Sequence, residues 1–209
     1  MIKKILNNRS GFSLAEVLIV VAIAASIVVV VANLNGAVNL LNGLVGQQLQ
    51  SASDISDELQ TMTAEIRSAE TSQNGAYPID SASTSSFAFY SDINKNGNVE
   101  HVRYFYATGT IYRGVITPTG TPVTYPTSSE VVTSIIGNIV PPATSSPVFS
   151  YYDDTYTGSQ SPMTYPLLIP SVRLVDISFK VQQNQTSTSQ RSPLQYFSSL
   201  VNIRILKDD

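Results

Sequence analysis

A long apolar run near the N-terminus constrains the fold more than any other feature of the sequence. Residues 12–32 are almost all apolar, and no Asp, Glu, Lys or Arg occurs from Val17 through Ser53. As an α-helix this run would be roughly 30 Å long, the thickness of a bilayer core. The run therefore predicts a membrane-spanning helix. The basic residues before it, Lys3, Lys4 and Arg9, predict a cytoplasmic N-terminus and a translocated remainder.

One carboxylate, Glu16, interrupts the run near its cytoplasmic end. A charge inside the membrane costs up to about 3 kcal/mol unless it is paired or lies at the interface. An ordinary secretory signal peptide is one interpretation, because Ala22–Ala24 (AIA) resembles a signal peptidase site, but that cleavage would leave the apolar residues 27–31 behind it. A plain uncleaved membrane anchor is a second interpretation, and it leaves the Glu16 carboxylate without a role.

The segment Gly11–Glu16 (GFSLAE), with a short basic leader before it, resembles the class III signal of type IV prepilins and type II secretion pseudopilins. The resemblance implies that prepilin peptidase cleaves the Gly11–Phe12 bond and that Phe12 is then N-methylated. It also implies that Glu16 is the family's glutamate at the fifth mature position. In a filament this carboxylate would pair with the Phe12 ammonium of a neighbouring subunit, which would offset the cost of both charges.

Beyond the apolar run, the pattern predicts that the helix continues to about Ser68. Apolar residues recur at spacings of three or four, which is one amphipathic stripe of helical period. The stripe comprises Leu34, Val38, Leu41, Val45, Leu49, Ala52, Ile55, Leu59, Met62 and Ile66. We therefore expect a leader at 1–11, a transmembrane half of the helix at 12–32, an amphipathic half at 33–70 and a globular domain at 71–209.

The globular part is predicted to be rich in β-structure, because short runs of β-branched and aromatic residues alternate with turn residues. The predicted strands are Phe87–Ser91, Val99–Thr108, Thr110–Ile116, Val148–Tyr152, Ser171–Gln182 and Leu194–Leu206. The polar stretch Thr71–Ser86 is predicted to be a loop. A capping-box pattern at Thr127–Glu130 predicts a short helix over Ser128–Gly137. The expected class is α+β and pilin-like, a long helix packed on an antiparallel sheet.

A polar loop at residues 92–100 leaves two interpretations open. Asp92, Asn94, Asn96 and Glu100 carry side-chain oxygens at short spacing, which imitates the first part of an EF-hand calcium loop. The position of the bidentate glutamate holds Arg103, so a full EF-hand is excluded. The loop is either a polar hairpin turn or a partial, weak Ca²⁺ site, and no other cofactor is implied.

Several classes of function find no support in the composition. The chain has no cysteine and a single histidine, which excludes thiolate sites and His-rich zinc or copper sites. Its net charge of −3, without a basic cluster in the globular part, argues against direct binding of nucleic acid. No nucleophile elbow, phosphate loop or paired-carboxylate signature is present, so we expect no enzyme.

A second resemblance concerns the globular part. The run Phe87–Arg113 is similar to the globular part of J-type minor pseudopilins and related minor pilins. The two resemblances imply a structural subunit of a type IV pilus-like or type II secretion filament, held in the cytoplasmic (inner) membrane before assembly. The implied partners are other pilin-like subunits, prepilin peptidase, the inner-membrane assembly platform and membrane lipid. The alternative is a membrane-tethered extracytoplasmic binding or sensing domain that does not polymerise.

Overall fold

The computed structural model describes residues 13–143, 147–182 and 194–206. Within these ranges the chain forms α1 (Leu14–Arg67), β1 (Ile79–Ala82), β2 (Ser86–Ser91), β3 (Glu100–Ala107), β4 (Thr110–Ile116), β5 (Val131–Ile136), β6 (Phe149–Tyr152), β7 (Leu174–Gln182) and β8 (Leu194–Asn202). Single 3₁₀ turns lie at Thr127–Ser129, Ile169–Ser171 and Arg204–Leu206. These elements confirm the predicted α+β class, with a long N-terminal helix followed by antiparallel sheets.

The chain divides into two compact units at the Leu49–Gln50 bond, and each has its own character. The first unit contains the apolar part of α1, and all of its side chains from Ser13 to Gly36 are exposed. Valine and isoleucine, which are common in this stretch, form helices only weakly in water. In a bilayer core, however, the backbone N–H and C=O groups find partners only within the helix, which favours the helical conformation.

The second unit contains the last turns of α1 and two antiparallel sheets. One sheet has the order β1-β2-β3-β4-β5 and the other the order β6-β7-β8, so within each sheet the strands that follow each other in the chain are neighbours. A tight turn at Thr108-Gly109, with φ of 47° and 81°, joins β3 to β4. The sheets are linked where Val140 N–H donates to Lys180 O over 2.8 Å.

The apolar stripe predicted on the helix enters the core of the second unit. Leu59, Met62 and Ile66 are buried, and they recur at intervals of three and four residues. The sheet residues in the same core include Phe87, Phe89, Val102, Tyr104, Ile111, Phe149, Tyr151, Val175, Ile177 and Val201. Full burial of such a side chain contributes roughly 1.5–3 kcal/mol relative to exposure, so this stripe holds the end of the helix on the sheets.

A polar contact fixes the same helix end against the first sheet. Glu65 on α1 accepts hydrogen bonds from Arg113 Nε at 3.0 Å and Nη2 at 2.5 Å, and from the Tyr104 hydroxyl at 2.5 Å. Burial raises the pKa of Tyr104, and the nearby Glu65 charge raises it further, so the hydroxyl remains a donor. The carboxylate thereby joins α1 to two neighbouring strands.

The prediction of a short helix at Ser128–Gly137 is wrong. A single 3₁₀ turn at Thr127–Ser129 is followed by β5, and no side chain caps that turn. The glutamate of the supposed capping box, Glu130, binds Arg103 on β3 through two hydrogen bonds of 2.9 and 2.8 Å. The residues of β5, mostly valine, threonine and isoleucine, favour a strand once β4 supplies a partner.

The prediction that Thr71–Ser86 is a loop is partly wrong, because this stretch contains β1. Ile79 of this short strand is buried and pairs with Phe89 on β2. Two other predicted strands are shorter in the structure than in the prediction: β7 begins at Leu174 instead of Ser171, and β8 ends at Asn202 instead of Leu206. In both places a 3₁₀ turn occupies the residues beyond the strand.

Candidate functional site

The N-terminal part of α1 is the first candidate functional segment. Its residues Leu14–Gly36 form a helix that is long and apolar enough to cross a membrane. None of the window is buried within the chain, which separates it from the core helix of a water-soluble domain. Glu16, in the first turn of α1, is the only acidic or basic residue in this stretch.

The start of α1 is capped by Ser13. The Ser13 Oγ accepts a hydrogen bond from the Glu16 N–H at 3.3 Å, and the Ser13 carbonyl accepts one from the Val17 N–H at 3.2 Å. The pattern Ser-x-x-Glu is that of a capping box, with Glu16 at the third helical position. This cap was absent from the sequence predictions, although its spacing is legible in the sequence. Gly11 and Phe12, the predicted cleavage and methylation residues, lie outside the described residues.

The loop between β2 and β3 brings the four predicted calcium ligands together. Asp92 accepts the N–H of Asn96 at 3.1 Å and that of Gly97 at 2.9 Å, and Glu100 accepts the Asn94 amide at 2.8 Å. The Oδ1 atoms of Asn94 and Asn96 also accept loop N–H groups. These bonds describe a hairpin turn held by its own side chains. Calcium binding remains a prediction, and the ion would have to take oxygens that now accept N–H groups.

His101 is largely covered by its neighbours. Its side chain on β3 is 13% exposed and its Nε2 lies 3.1 Å from Asp80 Oδ2. The rings of Tyr90 and Tyr125 pack beside it, with centroids 5.1 and 6.4 Å away. Burial, with a contribution from Asp80, raises the pKa of Tyr90 to about 12. Sequence reasoning missed this cluster, since its members come from four separate segments.

No metal site emerges from the acidic and histidine side chains that the structure describes. Over residues 13–143, 147–182 and 194–206, no group of three or more His, Cys, Asp or Glu residues is arranged to hold an ion. Asp80 and His101 form a pair, and Glu65 is bound to Arg113. Each of these groups serves a contact between strands or between helix and sheet.

Comparison with known proteins identifies the N-terminal segment. A family model described as the prokaryotic N-terminal methylation motif matches residues 6–32. No curated protein and no solved structure matches the chain. The matched residues include the predicted cleavage position and Glu16, and they overlap the exposed apolar helix. The chain therefore carries a prokaryotic N-terminal methylation motif of the type IV prepilin-like kind at its N-terminus, followed by an α+β domain.

Proposed function

We propose that the chain is a structural subunit of a type IV pilus-like or type II secretion filament. The observation that carries this proposal is the coincidence of the methylation motif with an exposed membrane-length helix that contains one carboxylate. A soluble domain has no use for such a helix, and a simple anchor has no use for Glu16. A filament core provides both an apolar environment for the helix and a partner for the charge.

In this proposal three residues have separate roles. Gly11 lacks a side chain and so gives prepilin peptidase access to the Gly11–Phe12 bond. Cleavage leaves an ammonium on Phe12, which is then methylated. Glu16 receives the ammonium of a neighbouring subunit, and the low dielectric of the filament core strengthens that attraction. Before assembly the apolar helix holds the chain in the inner membrane, with the β-rich domain on the extracytoplasmic side and the assembly platform as a partner.

Mass spectrometry of the mature protein tests the processing step. We expect the chain to begin at Phe12 with a methylated amine. A chain that retains Met1, or one that begins at Ala25 after cleavage behind Ala22–Ala24, would contradict the assignment. Deletion of the prepilin peptidase gene provides the control, because the leader should then remain attached.

The role of Glu16 is tested separately. We expect Glu16→Ala to be cleaved normally but to enter filaments at a strongly reduced level, because the neighbouring ammonium loses its partner. Ser26→Ala is a matched control, since its hydroxyl only bonds to Ile23 O within the same helix. Normal incorporation of Glu16→Ala would contradict the proposal.

A domain that is tethered to the membrane without polymerising is the alternative from another class. Cross-linking in cells separates the two, because only a filament subunit gives ladders through the apolar segment at 12–32. The similarity of Phe87–Arg113 to minor pseudopilins and minor pilins supports a minor rather than a major subunit. Short or low-abundance ladders containing several different subunits would fit that role.

A further inference from the structure

We propose that the outer face of the β6-β7-β8 sheet binds an arginine side chain of another pilin-like subunit, at a site made by Asp176, Tyr152 and Tyr156. The proposal rests on the filament role proposed above and names one contact within it. The site lies wholly in the second unit.

The outer face of this sheet follows from the alternation of β7. Val175 and Ile177 are buried in the core, so the side chain of Asp176 between them points to the other side of the sheet. Leu200 on β8 lies opposite Asp176 and is 44% exposed. On β6, Tyr152 lies diagonally across from Asp176, at a spacing that an aromatic side chain can span. These three side chains therefore share the outer face.

Asp176 has no cation beside it in the described part of the chain. Its Oδ1 atom accepts a hydrogen bond from the Ser198 hydroxyl at 3.2 Å, and it forms none of the ion pairs among residues 13–143, 147–182 and 194–206. Lys180 is on the same face but lies four residues along the strand, roughly 13 Å away. Arg173 donates to two nearby backbone carbonyls instead. Burial raises the pKa of Asp176, so its charge costs stability at neutral pH, and a charge kept at such a cost is typical of functional sites.

A pair of tyrosines stands next to this carboxylate. The ring centroids of Tyr152 and Tyr156 are 4.1 Å apart. The loop after β6 holds Tyr156 in this position, because Asp153 Oδ1 accepts the N–H and the hydroxyl of Thr155 at 3.0 and 2.7 Å. The Gln160 amide closes the same loop by donating to Thr155 O at 3.0 Å. Both rings are thus in place before a partner binds, which lowers the entropy cost of the contact.

An arginine side chain matches both parts of the site. A guanidinium can bind the Asp176 carboxylate through two hydrogen bonds and lie flat on a tyrosine ring, whereas the lysine ammonium is a point charge without a flat face. The two acidic residues that follow β6 directly, Asp153 and Asp154, also form no ion pair within the described ranges. Their charges add to the attraction of the face for a cation.

The first sheet shows the same arrangement completed within the chain. The guanidinium carbon of Arg103 lies 4.2 Å from the centre of the Phe105 ring, and the guanidinium binds Glu130 through hydrogen bonds of 2.9 and 2.8 Å. A carboxylate, an aromatic ring and an arginine thus form one contact on the outer face of that sheet. The second sheet presents the carboxylate and the rings, and the partner supplies the arginine.

The apolar side chains on the same face indicate that the arginine belongs to a protein. Tyr196 and Leu200, which point to this face from β8, are 58% and 44% exposed. Exposed apolar side chains around a charge are typical of protein interfaces, in which tyrosine and arginine are enriched. The minor role proposed above makes subunits of other sequence the neighbours of this chain in a filament. The arginine is therefore expected on one of those subunits.

Site-specific photo-cross-linking of the full chain, in cells that make the whole filament machinery, tests this contact. The probe is p-benzoyl-phenylalanine in place of Leu200, which lies opposite Asp176. We expect an adduct whose cross-linked peptide, mapped by mass spectrometry, contains or adjoins an arginine of a pilin-like subunit of different sequence. The absence of an adduct, or an adduct with a second copy of this chain, with lipid or with an unrelated protein, would overturn the proposal.

Asp176→Asn in the probe-bearing chain tests the carboxylate. We expect the adduct yield to fall about fivefold, as for loss of one partly exposed ion pair. Asp57→Asn makes the same change at an exposed position of α1 and is the matched control, whose yield should not change. Because the Asp176 charge is costly to bury, this variant should not melt below the wild type at pH 7. A lower melting temperature would assign the lost yield to unfolding and overturn the proposal. An unchanged yield would overturn it too, even where Glu16→Ala blocks assembly.

The tyrosine pair and the partner's arginine are tested in the same assay. Tyr156→Leu should lower the yield about threefold and Tyr156→Phe should retain it, because the ring and not the hydroxyl contacts the guanidinium. Replacing the arginine identified by the cross-link with glutamine should lower the yield as Asp176→Asn does, and combining the two changes should cause little further loss. Additive losses would overturn the pairing. Normal assembly of Glu16→Ala would instead contradict the filament role itself.

Discussion

Arg113 on β4 binds Glu65 on α1 through two parallel hydrogen bonds, Nε to Oε2 at 3.0 Å and Nη2 to Oε1 at 2.5 Å. The pair lies at the edge of the core, with side chains 27% and 12% exposed. The Tyr104 hydroxyl donates to the same carboxylate. One carboxylate of the helix therefore accepts three hydrogen bonds from two side chains of the sheet, which fixes the rotation of the helix end as well as its position.

We expect Glu65→Ala to lower the free energy of unfolding of the second unit by about 3 kcal/mol, because it leaves a partly buried guanidinium and a buried hydroxyl without their acceptor. Thermal melting of the detergent-solubilised full chain measures the change. Asp57→Ala, on the exposed face of the same helix, serves as the control. Equal melting temperatures for the two variants would show that the ion pair adds no net stability.

The pH dependence of stability should reveal two aspartates with opposite effects. Burial raises the pKa of Asp176, only partly offset by the hydrogen bond from Ser198, so its stabilising contribution is present below the unfolded pKa of about 3.9 and is lost as the pH rises. Hydrogen bonds from Thr155 lower the pKa of Asp153, so its contribution is present at neutral pH and is lost as the pH falls.

We therefore expect Asp176→Asn to melt at a higher temperature than the wild type at pH 7, and the difference to shrink towards pH 4. Asp153→Asn should melt at a slightly lower temperature at pH 7, and its difference should also disappear in acid. Melting curves of both variants from pH 3 to 8 make the comparison. Two variants that shift in the same direction at pH 7 would contradict the environments described for these carboxylates.

Gly114 makes room for an ion pair on the outer face of the first sheet. A Cβ at this position would overlap Glu130 Oε1, which bonds to Arg103. We expect Gly114→Ala to destabilise the chain by about 1 kcal/mol by displacing that carboxylate. Gly137→Ala is the matched control, because no atom lies within 4 Å of its added Cβ. In a Glu130→Ala background the Gly114 effect should vanish, and its persistence would point to a different clash.

The hairpin between β2 and β3 gives a prediction for calcium. Asp92→Ala should destabilise the chain by about 0.5–1.5 kcal/mol, because the Gly97 N–H loses its acceptor and the Asn96 N–H keeps only Asn94 Oδ1. If the loop is only a turn, millimolar Ca²⁺ leaves the melting temperature of the wild type unchanged. We expect this result, because the side-chain oxygens of the loop already accept N–H groups. A rise that Asp92→Ala abolishes would instead establish the partial calcium site.

Helices and hairpins with local signals were predictable from the sequence. The apolar stripe predicted the buried face of the helix end, where Leu59, Met62 and Ile66 lie in the core, because a helix that packs on a sheet buries every third or fourth residue. The β3–β4 hairpin was equally legible, because Gly109 readily adopts the positive φ of 81° that its turn requires.

Contacts between distant segments were not predictable in this way. Glu130 fits a capping box by spacing, yet its carboxylate binds Arg103, which is 27 residues away. Once that side chain is occupied, the β-branched residues that follow pair with β4 and extend the sheet. The contact between Thr63 on α1 and Ser199 on β8 has the same origin, since the two residues are 136 positions apart in the sequence.

The cap at Ser13 has a consequence for the electrostatics of the mature N-terminus. A helix carries about half a positive charge at its N-terminal end, and the proposed cleavage would place a methylated ammonium only one residue before this cap. Two positive ends would then meet at the edge of the membrane. Glu16 lies in the first turn, where a negative charge is favourable. The carboxylate thus stabilises the start of its own helix in the single subunit, and this effect does not depend on a neighbour in the proposed filament.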